Sequence, residues 1–592
     1  MDMKKNMNNR EIAGLLRAVS AAYEIKGENI FRIRAYDSAA DSVDQASREI
    51  KDLWEEGKLK EIPGIGPNIA GHLEELFNTG KVRHFQEVFK EFPPAMFELL
   101  DVPGIGPKSA FKLTKELGIN IAEGATEKLL QEAKTGKIRT VEGFGIESEL
   151  QIIKGLEEFS RREDRMLLTA ATQLAEEFVS YMKKEKACLR VEPLGSLRRR
   201  APTVGDLDLA VATRKPEQVI KAFTAYPGVK KVLAAGDNTA RVIHTSGRQV
   251  DVKTQTPQRF GALLQHFTGS KSHNIHLREI AIEKGLSLSE HGIKKVKKLT
   301  EFASEDKFYQ ALDMKWIPPE LREDSGEIEA AQKGSIPKLV ELKDIKGDLH
   351  LHTNYSWISS HDAGVNSMKE MIEKAVKLGY EYVAIGDHNP STSSYSPERI
   401  VAEVKERSKL LEEIKYSYEN KNTSGTIKVL NTLEVDILNN GKLAVPDEGL
   451  NLLDFAVVSI HSSMRMGKDK MTARILSGFS HSKAKILGHP TGRLLNKREG
   501  FEADWDTIFR FAKEKRKFIE INAWPSRLDL PDTLVRRALN FGVQLVIDTD
   551  AHAAENMKLM RYGVDVARRG WCAKSDIINT LSYAKIIDLL TK

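Results

Sequence analysis

"VEPLGSLRRRAPTVGDLDLAVAT", residues 191–213, sets two aspartates one residue apart beside an apolar run. The run reads as a β-strand, and a strand's period of two puts Asp206 and Asp208 on one face. Two like charges side by side are costly unless cations hold them, which points to paired Mg²⁺. A third acid is expected from a neighbouring strand, and "RQVDVKTQ" (248–255) supplies Asp251. Upstream, Gly195 and Ser196 open a turn whose backbone N–H groups and hydroxyl suit a triphosphate. Arg198, Arg199 and Arg200 stand beside it as cations. Asp-x-Asp alone is common on solvated strand edges. Together with the Gly-Ser turn, the arginines and the later acid it is far more specific, and it reads as an α/β domain built for nucleotidyl transfer.

Toward the N-terminus, "LKEIPGIGPNIAGHLEEL" (59–76) and "LLDVPGIGPKSAFKLTKEL" (99–117) are near copies. Each reads as helix, Gly-x-Gly turn, helix. The glycines allow a tight turn and bring backbone N–H groups at a helix head close to any anion. The pair resembles the helix-hairpin-helix motif, which grips DNA phosphates without reading bases. That makes Gly64, Gly66, Gly104 and Gly106 DNA-contact candidates. One copy would fit a plain helix-helix turn equally well; two favour DNA. "VEGFGIESEL" (141–150) is a looser third copy.

Downstream, "LLQHFTGSKSHNIHLREIA" (263–281) resembles the thumb segment of the family X DNA polymerases, as the palm motif does. The resemblance implies a role for each matching residue. Ser196 and Arg199 would carry the incoming triphosphate, with Gly195 in the same turn. Asp206, Asp208 and Asp251 would hold two Mg²⁺ (or Mn²⁺), Asp251 nearest the primer 3′-hydroxyl. Phe267 and the Thr268-Gly269 turn would face the sugar, Asn274 the base edge and Arg278 the template strand. His266 stands where eukaryotic members usually have Tyr. His72 stands where the repair members carry a lysine nucleophile, and a histidine cannot form that Schiff base as an amine does, so strong lyase activity is not expected. The resemblance allows K⁺ at the hairpin turns. The basic run "KKVKK" (294–298) reads as a solvated face or a backbone contact.

The last third repeats a different pattern: short apolar runs, each ending in a ligand-type residue, alternate with helical stretches. The runs are "GDLHLH", "YVAIGDH", "KVLNTLEVD", "FAVVSIHSS", "AKILGHP", "KFIEINAWP" and "QLVIDTDAH". Such alternation predicts a parallel β/α barrel with its site at the C-terminal strand ends. That brings His350, His352, His388, Glu434, His461, His489, Asp550 and His552 to one mouth. Imidazole with carboxylate suits Mn²⁺, Zn²⁺ or Fe²⁺ over Ca²⁺. The set resembles the polymerase-and-histidinol-phosphatase (PHP) domain, a distorted (β/α)7 barrel fused to bacterial family X polymerases. It implies about three ions, Mn²⁺ or Zn²⁺, and phosphoester hydrolysis. The activity expected is a 3′–5′ exonuclease, with abasic-site cleavage or 3′-phosphatase action as further options. In "GDLHLHTNYSWISSHDAG" (347–364) the family's "HTxYSDG" is altered: Trp357 occupies the aspartate position and extra residues precede "HDAG". Asp362 is the expected replacement ligand, with His361 the less favoured one.

The resemblance spans the whole chain. At 592 residues, 41% hydrophobic and 29% charged, the chain is long enough for several cored domains. The expected divisions are 1–90 (helical, lyase-like), 91–165 (fingers, second hairpin), 166–262 (palm), 263–322 (thumb), 323–345 (polar linker) and 346–592 (PHP). A net charge of +6 permits nucleic-acid binding. Two cysteines imply no disulfide framework, and no apolar run approaches a membrane span, so a cytoplasmic location is expected; a monomer is expected as well. The function expected is gap filling in DNA repair from deoxynucleoside triphosphates, on gapped or primer-template DNA, with end cleaning by the barrel. The rivals are a polymerase whose barrel is only structural or DNA-holding, and an RNA-directed nucleotidyltransferase, against which the thumb segment argues.

Overall fold

The protein is described from a computed structural model, covering residue 7 and residues 9–45, 50–55, 57–62, 64–102, 104–163, 165–296, 298–419 and 427–591. Pro63, Pro103 and Lys297 lie outside the described residues.

The two hairpins share one geometry. Gly64 (φ 79°) and Gly104 (φ 86°) sit in the left-handed region, and the following helices, Pro67–Thr79 and Pro107–Glu116, start on proline, whose missing N–H costs nothing there. At Gly64 the crowding is steric too, because a Cβ would lie 2.8 Å from Ser38 Oγ. The looser third copy makes the same turn: Gly143 has φ 83°, Phe144 N–H donates to Val141 O at 3.0 Å, and a helix runs on from Ile146. Leu73, Leu76 and Phe77 of the first pair and Ala110 and Leu113 of the second share one helical core.

The palm is a five-stranded sheet of β1 (Arg190–Pro193), β2 (Leu207–Ala212), β3 (Val229–Ala235), β4 (Thr239–His244) and β5 (Gln249–Gln255). The order is β1-β2-β5-β4-β3, with β2 and β5 parallel and the other pairs antiparallel. The period of two separates its faces. Leu209, Val211, Val250 and Val252 join Phe178 and Phe223 of two covering helices in one core. Ala210 and Ala212 turn the other way, onto Phe260, Leu263 and Leu264 of the helix Phe260–Thr268. Asp208 shares that second face, so the strand aims it toward the thumb side of the sheet.

The stretch 323–345, expected as a polar linker, is packed instead. Its helix Glu327–Gln332 puts Ile328 and Ala331, with Leu339 further on, into the thumb core beside Phe308 and Leu312. Glu327 Oε1 lies 2.6 Å from His273 Nδ1, both fully buried. A polar average concealed three apolar anchors and one carboxylate with a buried partner.

The barrel follows as β6 (Gly347–Leu351), β7 (Tyr382–Ile385), β8 (Lys428–Asn431), β9 (Glu434–Asp436), β10 (Ala456–Ser459), β11 (Ala484–Leu487), β12 (Phe518–Asn522) and β13 (Leu545–Asp548). Every pair is parallel. β8 and β9 are one strand broken at Thr432–Leu433. A bridge from His388 to Glu434 joins the two sheets, and one from Leu351 to Ala551 closes the ring. The result is a seven-stranded (β/α)7 barrel. Its strands are near-continuous buried aliphatic runs, as strands covered on both faces require.

Candidate active sites

In the palm, Asp208 and Asp251 are register partners on the parallel strands β2 and β5. Asp206, one residue before β2, is exposed at the same end. Each strand acid faces a cation of the chain. Lys253 Nζ lies 2.7 Å from Asp208 Oδ1, and Arg241 Nη2 lies 3.0 Å from Asp251 Oδ2. Gln249 Nε2 also donates to Asp251 at 3.0 Å. Gly195 abuts the acids: a Cβ there would lie 3.9 Å from Asp208 Oδ2, and its φ of 56° suits glycine. Ser196 follows in the short helix Gly195–Arg198.

The arginines divide their work. Arg198 donates to Glu305 at 2.9 and 2.7 Å and to Thr268 Oγ1 at 2.6 Å, tying palm to thumb. Arg322 reaches the same carboxylate at 2.7 Å. Burial alone would raise the Glu305 carboxyl, but Arg322 and Arg198 outweigh it and hold it down at about 2. Arg199 Nε lies 2.9 Å from Glu323 Oε1, and its Nη1 donates to Thr268 O at 2.7 Å. Phe267 lies under Lys253, 5.0 Å from ring centre to Nζ. Asn274 donates to His266 O at 2.7 Å and accepts from Gln265 at 2.9 Å. Gly269 leaves room for it, since a Cβ there would come within 2.6 Å of Asn274 Oδ1 and push that amide aside. Arg278 is exposed. So are Lys294, Lys295 and Lys298 of the basic run, on a hairpin. In the N-terminal domain His72 Nδ1 lies 3.0 Å from Tyr36 Oη, and its ring stacks on His84 at 5.0 Å.

The barrel mouth gathers all eight expected ligands. Glu434, directly after the break in the strand, is central. Its Oε2 lies 2.9 Å from His388 Nδ1, 3.2 Å from His350 Nε2 and 3.5 Å from His352 Nε2. Its Oε1 lies 2.7 Å from His489 Nε2 and 3.3 Å from His461 Nε2. Asp550 Oδ1 is 3.0 Å from His352 Nε2, and the His552 ring stacks on His352 at 4.1 Å. His489 (φ 25°) and Asp550 (φ 54°) hold left-handed backbone that such residues seldom adopt, a strain typical of functional positions. Burial would raise the Glu434 carboxyl, yet His388, His350, His461 and His489 hold it well below the carboxylate range. Burial, with the His552 and His388 rings, pushes His352 down to about 3.

Does this set fit metal? His350 Nε2, His352 Nε2, His388 Nδ1, Glu434 Oε2, Asp550 Oδ1 and His552 Nε2 are buried without a hydrogen-bond partner. Such orphaned lone pairs are costly, and they converge in groups of three and four. Mixed imidazole and carboxylate donors so placed suit Mn²⁺ or Zn²⁺. The altered loop reaches the same place. Gly364 N–H donates to Thr353 O at 2.9 Å, and a Cβ there would strike His352 O at 2.5 Å, so only glycine lets the loop return to the strand end. That return puts Asp362 carboxylate oxygens 3.9 Å from His388 Nε2 and 3.8 Å from His552 Nε2. Trp357 packs in the loop, with Tyr355 edge-on at 5.0 Å and Arg407 5.9 Å away.

Behind these candidate ligands stand groups that no sequence motif singled out. Asp436 Oδ1 lies 2.6 Å from His461 Nδ1 and 3.0 Å from His361 Nε2, so His361 joins the cluster as well. Glu520 Oε1 lies 2.7 Å from His350 Nδ1, and Asn522 donates to Asp550 Oδ2 at 3.0 Å. Such partners fix the tautomer and aim of ligating rings. The signal was period two: Asp436 follows Glu434 by two residues, and Asn522 follows Glu520 likewise.

Family models match at residues 7–82 (helix-hairpin-helix domain), 96–158 (SAM-like helix-hairpin-helix tandem), 263–323 (DNA polymerase beta thumb) and 348–523 (PHP domain). The chain is 34% identical to the DNA polymerase/3′–5′ exonuclease PolX of Bacillus subtilis, over 98% of this chain and 99% of that one. It is 22% identical to DNA polymerase lambda of Rattus norvegicus over 48% of this chain and 49% of the relative. It is 26% identical to a probable phosphatase of Caldicellulosiruptor saccharolyticus, over 35% of this chain and 79% of that protein. With a likeness that runs from end to end, and a palm and a barrel each furnished with its own acids, the chain belongs to the family X DNA polymerases that carry a C-terminal PHP domain.

Proposed function

We propose that this chain fills short gaps in DNA as a DNA-directed DNA polymerase and trims 3′ ends through a metal-dependent exonuclease in its barrel. The observation that carries the reading is the presence of two separate acid clusters, one on an open palm sheet and one at a buried barrel mouth. The proposed boundaries are those of the sequence reading, with 323–345 as a packed strap between thumb and barrel.

In the palm, Asp206, Asp208 and Asp251 would hold Mg²⁺ or Mn²⁺, which neutralises the triphosphate and activates the primer hydroxyl when bound. The chain's own residues do the positioning. Ser196 and the Gly195 turn offer donors to the phosphates, and Arg199 a guanidinium. Phe267 and the Gly269 turn border the sugar, Asn274 the base and Arg278 the template. Lys253 and Arg241 occupy the acids until substrate arrives, which keeps the sheet edge from self-repulsion. The hairpin turns at Gly64–Gly66 and Gly104–Gly106 grip phosphates whatever the sequence, so binding is salt-sensitive.

In the barrel, His350, His352, Asp362, His388, Glu434, His461, His489, Asp550 and His552 would hold Mn²⁺ or Zn²⁺, which supplies Lewis acidity and a nucleophile for phosphoester hydrolysis when bound. Asp436, Glu520 and Asn522 keep the rings and Asp550 aimed. Among the described residues no helix is long and apolar enough to cross a membrane, and Cys188 and Cys572 are unpaired, so a reducing cytoplasm suits the chain. The test is one gapped duplex, with and without a 3′ mismatch, given Mg²⁺ or Mn²⁺. Extension with nucleotides and 3′ shortening without them support the reading; template-independent extension or an inert 3′ end refutes it.

A further inference from the structure

The barrel helix Met560–Arg569 has two faces. Met560, Val564, Val566 and Ala567 are buried in it. Arg561, Asp565, Arg568 and Arg569, spaced as one helical face, reach the polymerase half. Arg561 lies 3.3 Å from Glu176, Asp565 3.8 Å from Arg200 and Arg568 2.8 Å from Glu320. Arg569 is the most heavily engaged. It is held by Asp532 of the barrel at 2.6 Å and donates to Arg199 O at 2.8 Å and to Glu323 Oε1 at 2.9 Å. Glu323 Oε1 is also the atom that Arg199 Nε contacts at 2.9 Å. One carboxylate oxygen is thus shared by a palm guanidinium and a barrel guanidinium.

We propose that Glu323 and Arg569 are positioning residues for nucleotide binding: Glu323 is a stand-in anion on Arg199 that the triphosphate must displace, and Arg569 retains Glu323 when Arg199 lets go. The inference rests on the reading of Arg199 as a triphosphate ligand. Its logic is competition. A nucleotide that needs Arg199 binds more weakly by the inverse of the fraction of molecules in which Glu323 has released it. Arg569 lowers the cost of release, because Glu323 is left beside a second cation instead of unpaired. Two cations on one oxygen also repel each other, which loosens Arg199 further. Glu323 is 32% exposed, so the exchange takes place at the solvent edge and its size is modest. The barrel would thereby set nucleotide affinity without touching nucleotide. Arg569 ends a ten-residue helix that runs back from the ligand end, about 15 Å along its axis, so its loss should leave the exonuclease alone.

The two residues then pull in opposite directions, which a merely structural role would not do. Single-nucleotide gap filling by the full chain, with kcat and KM for the nucleotide separated, tests this. Glu323→Gln should lower KM, and Arg569→Ala should raise it, each by roughly threefold to tenfold with kcat little changed. Arg569→Lys should fall between Arg569→Ala and the parent. The double variant should follow Glu323→Gln, since the competition that Arg569 tunes runs through that carboxylate; its other bond is to the Arg199 main chain, not to the guanidinium. KM moving in the same direction in both single variants, or kcat falling at constant KM, would overturn the proposal. Should Arg569→Ala fold poorly, Glu323→Gln and Arg569→Lys still decide it. Arg199→Ala separates the two levels: an unchanged KM there removes the underlying reading of Arg199. A raised KM there, with same-direction shifts in the other two, removes only the inference.

Discussion

Asp208 and Asp251 in the palm are partly exposed and face Lys253 and Arg241 at 2.7 and 3.0 Å. Glu434 and Asp550 in the barrel are buried among rings several of whose nitrogens lack partners. Both regions concentrate ligand-type side chains at the ends of parallel strands. They differ in what balances the charge. In the palm two of the three acids have a counter-cation of the chain, and all lie at an edge that nucleotide and DNA can reach. The barrel is balanced only in part, by histidines against carboxylates, and its unpaired donors could hold an ion. The two regions thus differ in burial and in the presence of two basic side chains.

The sharpest way to break the comparison is to remove one palm acid. Asp206→Ala or Asp251→Ala should abolish nucleotide incorporation, by about a thousandfold or more, with 3′ shortening unchanged. Residual synthesis near the parent rate in Asp251→Ala would show that the third acid is assigned wrongly. Metal removal probes the other side. Prolonged chelation should lower the melting temperature of the barrel by about 10 °C or more, and readdition of Mn²⁺ or Zn²⁺ should restore it. A melt indifferent to chelator would mean that the orphaned donors are satisfied without an ion. Asp362→Ala is a finer cut within the barrel. It should lose part of the bound metal and about tenfold to a hundredfold in nuclease rate, whereas Trp357→Ala stays within about twofold. Full metal content and full activity in Asp362→Ala would hand the ligand role to His361. The smallest effect concerns the junction. The Glu305 carboxyl sits at about 2, below its unfolded value, so its stabilisation is complete above about pH 4.5 and is lost as pH falls toward 2. Glu305→Gln should flatten that limb of acid unfolding, a difference of about 3 kcal/mol between neutral and acid pH.

Much of both sites was legible because their chemistry is written in short-range spacing. Asp-x-Asp and His-x-His at strand period place two ligands on one face before any tertiary contact is known. The third hairpin was visible only faintly, since its Gly143 sits in "GFG" without the flanking prolines, yet the backbone turn needs only the left-handed glycine. What stayed hidden depends on partners far along the chain. Asp362 is steered by Gly364 closing on His352, a steric fact about backbone approach. Arg199 looked like a free cation beside a turn, but Glu323 and Arg569, 124 and 370 positions away, hold its side chain and its carbonyl. The strap was misread because averaging polarity over 323–345 hides the few side chains that anchor it.

At stake is whether two separate acid clusters perform two separable reactions on one chain. Glu434→Gln tests it most directly, because it alters the middle of the barrel cluster without changing its shape. Extension and degradation of one mismatched primer on gapped DNA would be followed together. The account predicts that 3′ shortening disappears while incorporation and its nucleotide KM stay within about twofold of the parent. Loss of both activities in a folded protein, or persistence of 3′ shortening, would contradict it.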